Sequence, residues 1–189
     1  MMQAGRPIAV LFAAPTGALA HATRSGLFRD LDDVLSAQTN LEIRELEPEA
    51  MNECKGRLTC LVQRARPDFD PKAGVTYRQH VRKLIERGQR YPEYLMVLTA
   101  IPLGKVDRWS AVLVSTDFTL EKVSSLGART AERALESMVN EPAVAASIDR
   151  VEVDGPAGTR AFLERLVQNT FQATFRRAGY WEPFGSVRI

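Results

Sequence analysis

The chain has 189 residues, 45% of them hydrophobic, which is enough to bury one core without staples and makes a single domain the expectation. A charged fraction of 25% and a net charge of +2 neither demand nor exclude an anionic partner. No apolar run reaches the about eighteen residues that a bilayer-spanning helix needs, so no transmembrane segment is expected.

Ile8 to Phe12 reads as a buried first strand. Arg6, this run and Ala18-Leu19-Ala20-His21-Ala22 faintly resemble a secretory leader, but Pro15 and Gly17 interrupt it. The doubled Met1-Met2 is read as a start placed just after a natural leader. A small-residue loop, Ala13 to Gly17, follows, and then a helix with Ser25 as cap and Leu27, Phe28, Leu31, Val34 and Leu35 on one face. Asp30, Asp32 and Asp33 fall on its outer side. Leu41 to Leu46 alternates apolar with polar, as an edge strand does, and Pro48 is read as its end.

Cys54 and Cys60 are the only two cysteines. Residues six apart on one helix point away from each other, so a bond between them places Cys54 in a loop turned by Gly56 and Cys60 on the first turns of a helix from Leu58 to Arg66. It would close a loop of about seven residues, worth roughly 2 kcal/mol on the chain-entropy argument, and would imply an oxidising compartment. The alternatives are two free buried thiols in a reducing cytoplasm, or a metal site. Zinc would require His21 and His80, whose spacing fits none of the usual ligand patterns.

Arg66-Pro67-Asp68-Phe69-Asp70-Pro71 breaks the chain into a turn. Thr76 then caps a helix with Tyr77, Val81, Leu84 and Ile85 inward and Gly88 near its end. Its outward residues, Arg78, His80, Arg82, Lys83, Arg87 and Arg90, form the most basic surface in the chain. Tyr94 to Ile101 is almost continuously apolar, as a central strand covered on both faces should be, and pairs as a hairpin with Trp109 to Ser115. A helix with Ala131, Leu135, Met138 and Val139 inward, a short helical segment from Pro142, a short strand at Val151 to Val153 and a long helix from Thr159 through Phe175 complete the pattern. The tail from Gly179 stops inside what reads as a new strand, which suggests that the natural protein continues.

The expected fold is therefore α/β, a single domain over 1–178 with a mixed sheet of four or five strands flanked by helices, and 179–189 as a tail or the start of a following domain. No catalytic motif is present, and no cofactor is implied. Asp154-Gly155-Pro156-Ala157-Gly158-Thr159 lacks the lysine of a phosphate-binding loop, and Ala13 to Gly17 lacks spaced dinucleotide glycines. His21 and His80 stand in no nucleophile motif, and His80 among arginines reads as solvated. The helix from Arg78 to Arg90 could meet nucleic-acid phosphates, but Glu86 interrupts it and no stacking aromatics are interleaved.

The order of strand, helix, strand, cysteine pair entering a helix, central apolar strand and its partner, then helices, is similar to the N-terminal α/β domain of the TolB type. Such domains also occur in envelope and flagellar assembly proteins. The resemblance covers Ile8 to Arg177, and in such domains a cysteine pair often precedes the apolar strand, as Cys54 and Cys60 precede Tyr94 to Ile101 here. The tail from Trp181 to Ile189 resembles the lead-in to a PEGA-type β-sandwich. Together these likenesses imply a non-enzymatic, periplasmic or otherwise exported interaction domain of a larger envelope protein. Its partner would be a protein meeting Arg78, Arg82, Lys83 and Arg87, with oligomeric state left open. The alternatives are an enzyme or nucleotide-binding domain with a site near Ala13 to Gly17, and a cytoplasmic nucleic-acid binder using the basic helix.

Overall fold

The computed structural model describes residues 7–13, 29, 32–33, 42–103, 106–140 and 148–154. Within them the strands are β1 (Pro7–Ala13), β2 (Glu42–Glu45), β3 (Tyr94–Leu103), β4 (Val106–Ser115) and β5 (Ile148–Asp154). The helices are α1 (Pro48–Cys54), α2 (Leu58–Ala65), α3 (Tyr77–Glu86), α4 (Thr116–Leu126) and α5 (Ala128–Asn140). Helices packed on a sheet of mixed direction place the described residues in the α/β class expected from the sequence.

The strands lie in the order β2-β1-β3-β4-β5. β1 runs parallel to β2 and to β3, while β3–β4 and β4–β5 are antiparallel. The continuously apolar segment is thus the middle strand, and the short alternating one is at an edge. Leu95, Val97 and Val114 join the main core with Leu58, Leu61, Val62, Leu120 and Leu135 from the helices. Met96 and Leu113, next in the alternation, are also buried, so β3 and β4 are covered on both faces.

Two helices depart from the sequence reading. Pro48 does not merely end β2; it occupies the first turn of α1, where its missing N–H costs nothing, and Cys54 closes that helix instead of lying in a loop. α4 follows β4 directly. Its buried positions Thr116, Thr119, Leu120 and Val123 keep helical spacing, but two threonines mask the apolar stripe. The α4 start is capped by Ser115, whose Oγ accepts from the Phe118 N–H at 3.2 Å.

Two side chains on α3 also differ from expectation. Thr76 caps it in a reciprocal box with Gln79, as read from the sequence. Ile85, expected inward, is 68% exposed, because α3 buries mainly Tyr77 and Leu84 against its neighbours. His80, expected solvated, is held against Phe69 with ring centroids 5.2 Å apart. Asp32 and Asp33 are helical and exposed. Residues 14–17, His21, the remainder of the helix read at 25–35, the segment from Pro142, the loop after Asp154, the helix read at 159–175 and the tail lie outside the described residues.

Candidate functional site

α2 ends at Ala65, and the next residue, Arg66, turns its side chain into the protein, where it is fully buried. Isolated burial of a guanidinium is costly, so its N–H groups must find acceptors. Asp68, two residues on, supplies both carboxylate oxygens: Nε–H donates to Oδ1 and Nη2–H to Oδ2, each at 2.8 Å. Nη1–H donates to the Tyr77 hydroxyl at 2.8 Å and to Thr116 Oγ1 at 3.3 Å, with Asp117 Oδ1 at 3.5 Å. The Tyr91 ring covers the guanidinium 3.8 Å from its centroid.

The second tier of contacts spreads over three elements. The Tyr77 hydroxyl donates to Asp117 Oδ1, and the Tyr91 hydroxyl donates to Asp117 Oδ2 at 3.2 Å. His80 Nε2–H meets Asp68 Oδ2 at 2.8 Å. Thr116 Oγ1–H donates to the Pro92 carbonyl at 2.7 Å. One arginine therefore ties the 66–70 turn, α3, the lead-in to β3 and the first turn of α4 together. Asp117, in that first turn, also complements the positive end of the α4 dipole.

The electrostatics follow from this geometry. Burial by itself pushes the Asp68 carboxyl up, but hydrogen bonds from Arg66 and His80, with the charge of Arg66, hold it below the usual carboxylate range. Burial would likewise lower the Arg66 guanidinium, and Asp68 and Tyr77 more than restore it, so it stays charged. The Tyr77 hydroxyl is pushed far up, first by burial and then by the Asp117 charge, with Arg66 opposing, so it stays a donor.

His80 and Asp68 form a carboxylate–imidazole pair, the orienting half of a hydrolytic triad. Among the described residues no hydrogen bond joins His80 to a serine, and no cysteine is free. The same residues contain no group of three or more His, Cys, Asp or Glu placed to hold a metal ion. Asp68 also holds Arg66 through both carboxylate oxygens, so the pair is part of the mooring of Arg66. A cavity of about 550 Å³ abuts the network, lined by Asp68 and Tyr91 together with Arg44, Glu45, Arg64 and Pro92. Its charges alternate in sign and converge on no single ligand chemistry.

On the other side of α3 lies a groove of about 530 Å³ shared with α4. Tyr77, Val81 and Ile85 form its apolar floor, with Arg78 and Arg82 along the α3 rim and Asp117 and Glu121 from α4. The basic residues singled out in the sequence are exposed here: Arg78 is 85% and Arg82 83% exposed, and Lys83 and Arg87 are in solvent. They are not all unopposed, since Arg78 pairs with Glu121 at 2.8 Å and Arg82 with Glu86 at 3.4 Å. Such exposed pairs contribute little to stability.

Cys54 and Cys60 are bonded, with Sγ–Sγ at 2.07 Å and Cα–Cα at 5.4 Å. The chain between them turns through two left-handed residues, Lys55 at φ 52° and Gly56 at φ 70°, of which only glycine adopts that region without steric cost. α2 begins without a cap of its own, and Glu132 of α5 fills the role, accepting from the Leu58 N–H at 2.9 Å and the Thr59 N–H at 2.7 Å. The Arg66 network and Glu132 were not anticipated from the sequence. Comparison with protein families, with curated proteins and with solved structures found no significant match.

Proposed function

We propose that the chain is a non-enzymatic interaction domain of a larger exported protein of the cell envelope, one α/β unit over 1–178 of the TolB N-terminal type. The observation that carries this reading is the Cys54–Cys60 bond, because such bonds persist in oxidising compartments and are rare in the cytoplasm. No helix among the described residues is long and apolar enough to cross a membrane. The element order with a bonded cysteine pair ahead of the middle strand supports the TolB-type reading, and the tail from Trp181 keeps its proposed PEGA-type continuation.

Contacts are assigned to the outer face of α3. Ile85 is a large aliphatic side chain left in solvent beside Val81, framed by Arg78 and Arg82, while Lys83 and Arg87 are exposed elsewhere around the same helix. An exposed aliphatic side chain beside arginines supports a protein contact here.

The test is a fusion of the complete natural gene product to an alkaline phosphatase reporter, which folds only after export. An active reporter is expected; an inactive one at equal expression contradicts the placement. A photoreactive amino acid at position 85 in the same host is expected to cross-link a discrete protein, and Arg82→Glu to abolish the adduct. Transfer of the label to nucleic acid, or no adduct, removes the contact assignment.

A further inference from the structure

The disulfide lies between two helix ends that both disfavour a thiolate. Cys54 is the last residue of α1, fully buried, at the end where the helix dipole is negative. Cys60 is the third residue of α2 and partly buried, at an end whose free N–H groups and positive dipole would ordinarily stabilise an anionic sulfur. That advantage is already taken. Glu132, 8% exposed, engages the N–H groups of Leu58 and Thr59 and sets a negative charge at the start of α2.

Of the cations near the bond, one is held on the Cys54 backbone and the others are paired or in solvent. Arg57 Nε–H donates to the Cys54 carbonyl at 3.2 Å, Arg64 of α2 pairs with Glu53 of α1, and Lys55 is exposed.

We propose that Cys54–Cys60 is a closed staple that resists thiol exchange, and that Glu132 is the positioning residue that enforces this at Cys60. Reduction by a dithiol requires a thiolate to attack the accessible Cys60 sulfur. The S–S electron pair then leaves on Cys54, inside an apolar cluster, and that sulfur takes up a proton. The reductant's second thiolate next attacks its own bound sulfur and expels Cys60 as a thiolate beside Glu132, so the dithiol is oxidised to a disulfide and the protein gains two thiols. Each expelled thiolate forms where the structure opposes it. The bond resists exchange in this way whichever compartment the protein occupies.

Dithiothreitol at pH 7 is the probe. Reduction of the folded chain is expected to run on the order of a hundredfold slower than reduction of the same chain in denaturing urea, since the surroundings that oppose both expelled thiolates exist only while the chain is folded. Equal rates within threefold overturn the proposal without recourse to any variant. The role of Glu132 is read in a Cys54→Ala background, where iodoacetamide alkylation of Cys60 is followed against pH. Glu132→Gln removes the charge and retains an acceptor oxygen. It is expected to raise the alkylation rate at pH 7 about three- to tenfold and to shift the pH midpoint downward, as removal of one unfavourable charge at a helix N-terminus implies. Simple loosening of the fold would multiply the rate equally at every pH and leave the midpoint in place, which overturns the assignment to Glu132.

Discussion

Replacing Arg66 with alanine removes more than one contact, and its cost can be worked from the structure. The substitution deletes a bidentate pair with Asp68, hydrogen bonds to Tyr77 and Thr116, and the stacking on Tyr91. It leaves Asp68 at 30% exposure with His80 as its remaining partner, and Asp117 facing two tyrosine hydroxyls without a cation beside them. Removing one partner of a buried charge pair typically costs about 3–5 kcal/mol, because the charge left behind stays partly desolvated. For a chain of this size each kcal/mol lowers the melting temperature by about 2–4 °C, so a drop of roughly 6–20 °C is expected. Urea denaturation of the oxidised protein, with far-UV circular dichroism and tyrosine fluorescence as probes, measures the free-energy cost, and a thermal melt the temperature shift. Arg66→Lys, which keeps the charge but loses the planar fork, should fall between wild type and alanine. A loss below about 1 kcal/mol for Arg66→Ala would refute the argument that this side chain moors α3, α4 and the lead-in to β3.

Other outcomes follow from the same geometry. Asp68 has a folded-state pKa held below its unfolded value, so its stabilisation is complete above about pH 4 to 5 and is lost as pH falls through the depressed value. Asp68→Asn should therefore lower stability at neutral pH and flatten the acid limb of a stability-versus-pH curve. Thr76→Ala breaks the reciprocal cap with Gln79 and should cost about 1 kcal/mol in urea titrations. Leu84 and Ile85 are adjacent but opposite in exposure: Leu84→Ala should cost about 2–4 kcal/mol and Ile85→Ser no more than about 0.5 kcal/mol. A large loss from Ile85→Ser would show that this side chain serves the core and not a partner.

Elements whose signal is local were legible in the sequence. The continuous apolar run of β3, the alternation of β2 and the Thr76 cap with the helical spacing after it each involve residues within a turn or two of one another. α1 was hidden because proline is ambiguous, terminating one element and starting another with the same fixed φ. α4 was hidden by threonines on its buried stripe; Thr119 there donates its hydroxyl to the Ser115 carbonyl at 2.9 Å, which lets a polar residue face inward.

The site was less legible because its contacts are long-range. Arg66 and Asp68 look like ordinary turn residues until Tyr77, Thr116 and Asp117 are brought to them from up to 51 positions away. Glu132 looks like one more charge on an amphipathic helix, yet it caps α2 across 73 and 74 positions. The cysteine pair was the exception, since a glycine turn between two close cysteines is a local signal.

The most direct test of the account is the state of Cys54 and Cys60 in the organism that makes this protein. Cells are lysed into acid, thiols are blocked with iodoacetamide under denaturing conditions, the protein is reduced, and newly exposed thiols are labelled with a heavier reagent and counted by mass spectrometry. The account predicts that both cysteines carry the second label. If both carry the first, the bond is absent in the cell and the exported interaction role loses its main support.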